Sequence, residues 1–270
     1  MVGVHGWIPT FLLKKILYKM QKKAVIIGAS SGIGRALAER LARDGYKIGV
    51  AARRRESLEQ LQAEFGAQNV VVAEMDVVEQ SATAALDTLL EQLGAPDLFL
   101  YVSGKGGQNP DLDEQLELDI VTTNCEGMVR VVDHFVNYVK RQPCYTAKNR
   151  AHIAVVTSVA GTTGMGPAPA YSASKSMQST YITALVQHCR MYKVAIDFTD
   201  IRPGFVATAI LNPNKHYPML MSLEQATHHI MRGLKRRRRI VIFDWRFRLL
   251  VLFWNIIPRW LWERLTIIRN

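Results

Sequence analysis

Residues 171 to 175 read Tyr-Ser-Ala-Ser-Lys within a stretch of helical period. Residues four apart share a helix face, so an ammonium on Lys175 can sit beside the phenol of Tyr171. A free tyrosine ionises near ~10 and exchanges protons poorly at neutral pH; a neighbouring cation stabilises phenolate and is expected to lower that value. Thirteen residues upstream, Thr157-Ser158 closes the apolar run HIAVVTS, where a hydroxyl can hold a carbonyl oxygen. Taken singly these are a half-buried tyrosine, a surface lysine and a turn serine. Together they suit proton exchange with a reacting oxygen.

A second set of residues suits an anion. The first apolar run leads straight into Gly28-Ala29-Ser30-Ser31-Gly32-Ile33-Gly34 and then a helical pattern. Glycines let the backbone turn sharply and approach a pyrophosphate, and the helix N-terminus that follows offers free N–H groups and a favourable dipole. The second run ends in Ala51-Ala52-Arg53-Arg54-Arg55. An acid at this place would hold a ribose 2′-OH and repel a 2′-phosphate, whereas arginine pairs with that phosphate through two hydrogen bonds. The expected dinucleotide is therefore NADP(H), held by Arg53 and Arg54 with Ser30 as a second phosphate contact. Arg55 reads as a solvated helix start.

These residues need elements to position them. Apolar runs at 24–28, 46–52, 69–75, 97–102, 152–158, 193–201 and 239–244 alternate with helical patterns over 35–43, 56–65, about 80–93, about 113–141 and about 169–191. Apolar strands without strict alternation are what a parallel sheet covered on both faces requires. Seven of them separated by helices predict an α/β, doubly wound sheet of the Rossmann type with right-handed crossovers and ligands at the strands' carboxyl ends.

The motifs together resemble the short-chain dehydrogenase/reductase family over about residues 23–244. The matches are GASSGIG for the turn, Asp76 after the third strand, Asn124 in the long helix, Ser158, YSASK, and the run from Arg202 to Thr208 after the sixth strand. The resemblance implies an oxidoreductase with a tetrad of Asn124, Ser158, Tyr171 and Lys175. Tyr171 would exchange the proton of the carbonyl oxygen while Ser158 stabilises its developing charge. Lys175 would bind the nicotinamide ribose, and Asn124 would hold a water in the proton relay. Asp76 and Val77 match the adenine-contacting position, and Pro203, Gly204, Val206 and Thr208 match the segment lining the nicotinamide. One motif departs: the family's Asn-Asn-Ala-Gly is Tyr101-Val102-Ser103-Gly104 here, which keeps Gly104 and lacks the asparagines that steady the adenine side. The expected activity is reduction of a ketone or aldehyde, or oxidation of the alcohol, with a lipophilic substrate against Met165, Met219, Leu220 and Met221. The alternatives are a 3-oxoacyl thioester reductase, or an idle NADP(H)-binding sensor. The long helices near 113–141 and 169–191 are the surfaces that pair in relatives, so the resemblance also implies a homo-oligomer.

Composition bounds the rest. With 49% hydrophobic and 21% charged residues, the 270-residue chain can bury a core. Three cysteines without a ligand-like spacing argue against a zinc site or a disulfide framework, and for a reducing, cytoplasmic setting. The net charge of +11 is uneven. Residues 1–23 carry five lysines and no acid, residues 232–270 carry eleven basic against two acidic residues, and the body between holds 18 basic and 21 acidic. All five tryptophans, Trp7, Trp245, Trp254, Trp260 and Trp262, also lie at the ends. We divide the chain into a basic N-terminal extension (1–22), a catalytic domain (23–244) and an aromatic C-terminal extension (245–270). Residues 1–19 read as an amphipathic membrane contact or as sequence ahead of a start at Met20. The nine positions from Leu249 to Ile257 are too few to span a bilayer. Basic flanks and tryptophans suit a helix lying on an anionic membrane surface; equally, the segment can pack over the substrate cleft or a second subunit. The run Lys235 to Arg239 belongs to no recognisable nucleic-acid module, so no nucleic-acid partner is expected.

Overall fold

The structure, a computed structural model, describes residues 21–211 and 216–265. One parallel sheet runs through the molecule in the order β3-β2-β1-β4-β5-β6-β7. Its strands are β1 (Lys23–Ile27), β2 (Lys47–Ala52), β3 (Val70–Glu74), β4 (Leu98–Tyr101), β5 (Ala151–Val156), β6 (Ile196–Ile201) and β7 (Ile240–Val241). The helices between them are α1 (Gly32–Arg43), α2 (Arg55–Phe65), α3 (Ala82–Leu93), α4 (Glu114–Val121), α5 (Gly127–Arg141), α6 (Pro169–Met191) and α7 (Leu223–Lys235), followed by α8 (Trp245–Ile256) and the single turn α9 (Arg259–Trp262).

The strands are Val/Ile/Leu-rich on both faces because both faces are covered. On one, Leu86 and Leu89 of α3 and Val132 and Phe135 of α5 close over β1, β4 and β5, with the Phe99 and Phe135 rings stacked 4.2 Å apart. On the other, Leu37 and Leu41 of α1, Leu58 and Leu61 of α2 and Ile230 of α7 do the same. The spacing of Met128, Val131, Val132, Phe135, Val136 and Val139 puts every one of them on the buried stripe of α5. The strand order reverses between β1 and β4, which opens a crevice at the carboxyl ends of these two strands.

Three local expectations change. The helical region near 113–141 is interrupted by a π-helical turn, Thr122–Glu126, that carries Asn124. The strand expected over 239–244 pairs only through Ile240 and Val241, because Asp244 takes a positive φ of 76° and caps α8 through the Arg246 N–H. Helix α7 has no counterpart among the helical patterns expected from the sequence, although its capping box, Ser222 with Gln225, is written in that sequence as Ser-x-x-Gln.

The C-terminal extension packs on its own chain along one face. Phe247 and Val251 of α8 are buried with Val159, against Phe205, Met219 and Trp254. A Cβ at position 204 would lie 2.2 Å from the Phe247 ring, so Gly204 is what lets α8 sit this close. Trp262 Nε1 donates to the Gly164 carbonyl at 2.8 Å. The run before β7 is partly structural as well: Arg237 pairs with Asp197 at 2.6 Å. No helix among the described residues is long and apolar enough to cross a membrane. Residues 1–19 lie outside the described residues.

Candidate functional site

A cavity of about 660 Å³ fills the crevice, in the size range of sites that enclose a small molecule. At one end the chain leaves β1 through Gly28, whose φ of 92° suits glycine and whose position admits no side chain: a Cβ would lie 2.6 Å from the Ser103 nitrogen. Gly34 is equally confined, with the Gly28 carbonyl 2.1 Å from its would-be Cβ. Ser30, Ser31, Gly32 and Ile33 line the cavity between them, and the first turn of α1 carries no acid to compete with an anion. Ser31 stands at the N-cap, yet its hydroxyl does not cap the helix. It accepts instead from Arg54 Nη2 at 2.7 Å, as the Ser30 hydroxyl does at 3.0 Å.

Arg54 rather than Arg53 is therefore the guanidinium gathered to the glycine turn. Arg53 also lines the cavity but reaches outward, its side chain 76% exposed and 3.9 Å from Asp76. Asp76 accepts from the Val78 N–H, and Val77 is buried beside it. Arg55 pairs with Glu59 along α2, as a helix start in solvent should. Ser103 and Gly104 follow β4 into the cavity, while Pro203, Gly204, Val206 and Thr208 line the wall formed after β6. Thr208 comes within 3.5 Å of a would-be Cβ on Gly32, so that wall reaches back to the glycine turn.

At the other end stand Ser158, Tyr171 and Lys175. The Ser158 hydroxyl accepts from the Ala160 N–H and shares a hydrogen bond with the Tyr171 hydroxyl. Helix α6 is aimed by Glu117 of α4, whose carboxylate accepts from the Ala170 N–H in the first turn and from Asn109 Nδ2. Lys175 is 5% exposed and donates to the Val156 carbonyl at 3.1 Å and to Gln178 Oε1 at 3.0 Å. Burial pushes its ammonium down to about 8, against the opposing pull of Cys125 and Asp200. The Tyr171 phenol is raised rather than lowered. Burial of its hydroxyl outweighs the hydrogen bond from Ser158, and Lys175 Nζ stays 5.9 Å from the ring centroid because its donors are turned inward. The i, i+4 spacing thus brings the two residues to one face without bringing the charge onto the hydroxyl.

Asn124 is fully buried and does not line the cavity. Its Nδ2 donates to the Lys105 carbonyl and to Ser174 Oγ, and its Oδ1 accepts from the Lys105 N–H. It clamps the loop after β4, which is where the chain departs from the family's asparagine-rich motif. The loop in turn contributes Lys105, paired with Asp119 at 2.6 Å, and both line the cavity. Sequence reasoning missed this pair, and it missed Ile210 and Leu211, which supply apolar lining. It also missed Asp200, buried under the site and held by Thr157 Oγ1 at 2.5 Å and by Arg202 at 2.7 Å. The methionines expected around a substrate lie elsewhere. Met219 and Met221 pack into hydrophobic clusters, Leu220 is exposed, and Met165 lines a separate hollow with Gly164 and Pro169.

Residues 22–217 match the model of the short chain dehydrogenase family. An uncharacterized oxidoreductase of Myxococcus xanthus is 31% identical over 248 residues, covering 90% of this chain and 95% of that protein. An NADP-dependent 3-hydroxy acid dehydrogenase of Salmonella typhi is 28% identical, over 67% of this chain and 71% of its own length. Among solved structures, a short chain dehydrogenase/reductase of Burkholderia phymatum in complex with NAD superposes with a TM-score of 0.73 at 22% identity, over 86% of this chain and 92% of that one. An actinorhodin polyketide ketoreductase with NADPH superposes with a TM-score of 0.66 at 23% identity, over 78% and 89%.

Proposed function

Because this chain belongs to the short-chain dehydrogenase family, we propose that it is an NADP(H)-dependent reductase of a lipophilic ketone or aldehyde. The observation that carries the cofactor choice is Arg54, drawn to Ser30 and Ser31 at the mouth of the glycine turn. The fit to a dinucleotide rests on the tight turn that Gly28 and Gly34 allow, which sets the first turn of α1, with Gly32 and Ile33, against the cavity, where helix N-terminal N–H groups can meet a pyrophosphate. When bound, the nicotinamide supplies or takes up hydride. The chain's own residues do the rest. Arg54 and the two serine hydroxyls bind the 2′-phosphate, Ser158 hydrogen-bonds the carbonyl oxygen, and Tyr171 gives that oxygen its proton. Lys175 holds a positive charge behind Tyr171. Ile210 and Leu211 offer the reacting carbonyl's substituents an apolar wall. Turnover of a carbonyl panel ordered by chain length, with NADPH and NADH in parallel, tests this reading. Faster turnover of longer chains with NADPH is expected; tight NADPH binding without turnover of any carbonyl would instead mark an idle sensor.

The outer face of α8 and α9 supports an anionic membrane surface as the place where such a substrate is met. Trp245, Leu249, Leu252, Phe253, Ile256 and Trp260 are exposed there, opposite the buried Phe247 and Val251. The two acids of this stretch are already paired, Asp244 with Arg246 and Glu263 with Arg259, so the rim is left positive. Each unpaired arginine near an anionic surface contributes about 1 kcal/mol of attraction. Removing residues 245–270 would also strip Phe247 from the core. The cleaner variant replaces Trp245, Phe253 and Trp260 with serine, and is expected to stop co-sedimentation with phosphatidylglycerol vesicles. Equal sedimentation of the variant and the parent protein would overturn the membrane reading.

A further inference from the structure

Between Lys175 and Asn124 the structure places a side chain, Gln178. Its Oε1 accepts from Lys175 Nζ at 3.0 Å, and its Nε2 donates to the Asn124 carbonyl at 2.8 Å. Gln178 and Asn124 are both completely buried and Lys175 nearly so, which makes this a continuous buried chain of hydrogen bonds. The side-chain groups of Asn124 are meanwhile engaged by Lys105 and Ser174. We propose that Gln178 is a positioning residue of the reaction: its carboxamide links Lys175 to Asn124, taking the place beside Asn124 where the family resemblance puts a relay water, and it anchors the ammonium behind Tyr171. This rests on the catalytic reading of Tyr171 and Lys175.

The chemistry of an amide gives the link a distinct consequence. A water can accept a proton from an ammonium and pass another on; a carboxamide offers Lys175 a fixed acceptor and has no readily exchanged proton to hand to Asn124. Lys175 is thereby held as a stationary charge, and the proton that Tyr171 gives up returns from the cavity, which Tyr171 and Ser158 line. Buried without an acceptor, an ammonium is costly, so Gln178 stabilises the charged form. The other groups bearing on that charge are Cys125 on the π-helical turn, Asp200 of β6 with its partner Arg202, Tyr171 on the same helix, and Lys105 with Asp119 on the loop and α4.

Two variants separate this role from packing. Gln178→Leu removes the acceptor, and Gln178→Glu replaces it with a carboxylate. In the full chain labelled with ¹³Cε-lysine, Lys175 is expected to titrate lower in Gln178→Leu and higher in Gln178→Glu, each by about one unit or more. The high-pH limb of kcat for carbonyl reduction should move with it, in the same two directions. Gln178→Met keeps the straight side chain without the acceptor and serves if leucine disturbs the fold, as judged by circular dichroism. Titration unmoved in the variants, or moved in one direction by both, would overturn the assignment. Retained turnover in Tyr171→Phe would instead overturn the catalytic reading beneath it.

Discussion

The two ends of the cavity are built in opposite ways. At the glycine turn the chemistry is carried by a side chain at the surface: Arg54 is held by two serine hydroxyls, and Arg53 beside it is mostly in solvent. At the far end it is carried by buried groups whose every hydrogen bond leads to another part of the protein: Lys175 to Val156 and Gln178, Gln178 to Asn124, Asn124 to Lys105 and Ser174. Exposed charge gives affinity that solvent and salt can weaken; buried charge has its ionisation set by its neighbours. One end is suited to choosing a cofactor and the other to tuning proton transfer.

The largest expected effect tests whether those two tasks are separable. Tyr171→Phe removes the proton donor and should lower kcat for carbonyl reduction by about 10²- to 10⁴-fold, the usual worth of a general acid. NADPH affinity, measured by fluorescence titration, should stay within about threefold. A collapse of affinity together with rate would show that the ends are coupled.

The complementary change is Arg54→Ala. Loss of a charge-assisted bond to phosphate costs about 1.5–3 kcal/mol, so the Kd for NADPH should rise by about 10- to 100-fold while that for NADH barely moves. The same measurement on Arg53→Ala distinguishes the two arginines, since only Arg54 is gathered to the turn. If Arg53→Ala proves the more damaging, the outward arginine swings in to the phosphate and the assignment reverses.

Salt and pH sharpen the contrast further. Raising ionic strength from about 0.05 to about 0.5 M shortens the screening length well below the cavity's size and should weaken NADPH binding severalfold. The Lys175 ammonium, held down to about 8 by burial, is charged below that pH and neutral above it. Reduction should therefore fall as pH rises through about 8, and that limb should not shift with salt.

How much of this was legible in advance follows the same division. The strand runs, the glycine turn and the Tyr171–Lys175 pair are local patterns that sit on the elements their periodicity indicated, whereas Asn124 stands on a π-helical turn, Ser158 just past the end of β5, and β7 is cut short. Gly28 to Gly34, Ser158, Tyr171 and Lys175 meet at one cavity because a sheet whose order reverses must gather its strand ends there. What could not be read is what depends on contacts between residues far apart in the chain. Asn124 and Gln178 are 54 positions apart, and Glu117 reaches the N-terminus of α6 across 53. The expected lowering of the Tyr171 phenol failed for a related reason: spacing specifies a helix face but not where a flexible lysine finds its acceptors. Position in the chain suggests a substrate pocket for the methionines, whereas α8, through Phe247, recruits Met219 to a cluster of its own.

The smallest effect concerns how firmly the C-terminal segment is tied to the site. α8 is anchored by Phe247 against Gly204, a tight apolar contact next to the cofactor wall, whereas α9 is tied through a polar one, the bond from Trp262 Nε1 to the Gly164 carbonyl. Trp262→Phe keeps an aromatic ring to meet Trp254, which lies 5.7 Å from it, and deletes only the donor. A single neutral hydrogen bond at a half-open site contributes about 1 kcal/mol, so the melting temperature should fall by about 2–4 °C. Because Gly164 and Met165 border the hollow beside α6 and not the main cavity, NADPH affinity and the pH limb should both be unchanged. A shift in either would mean that α9 acts on the catalytic end through the 159–166 segment, and that the C-terminal extension is part of the site and not only its cover.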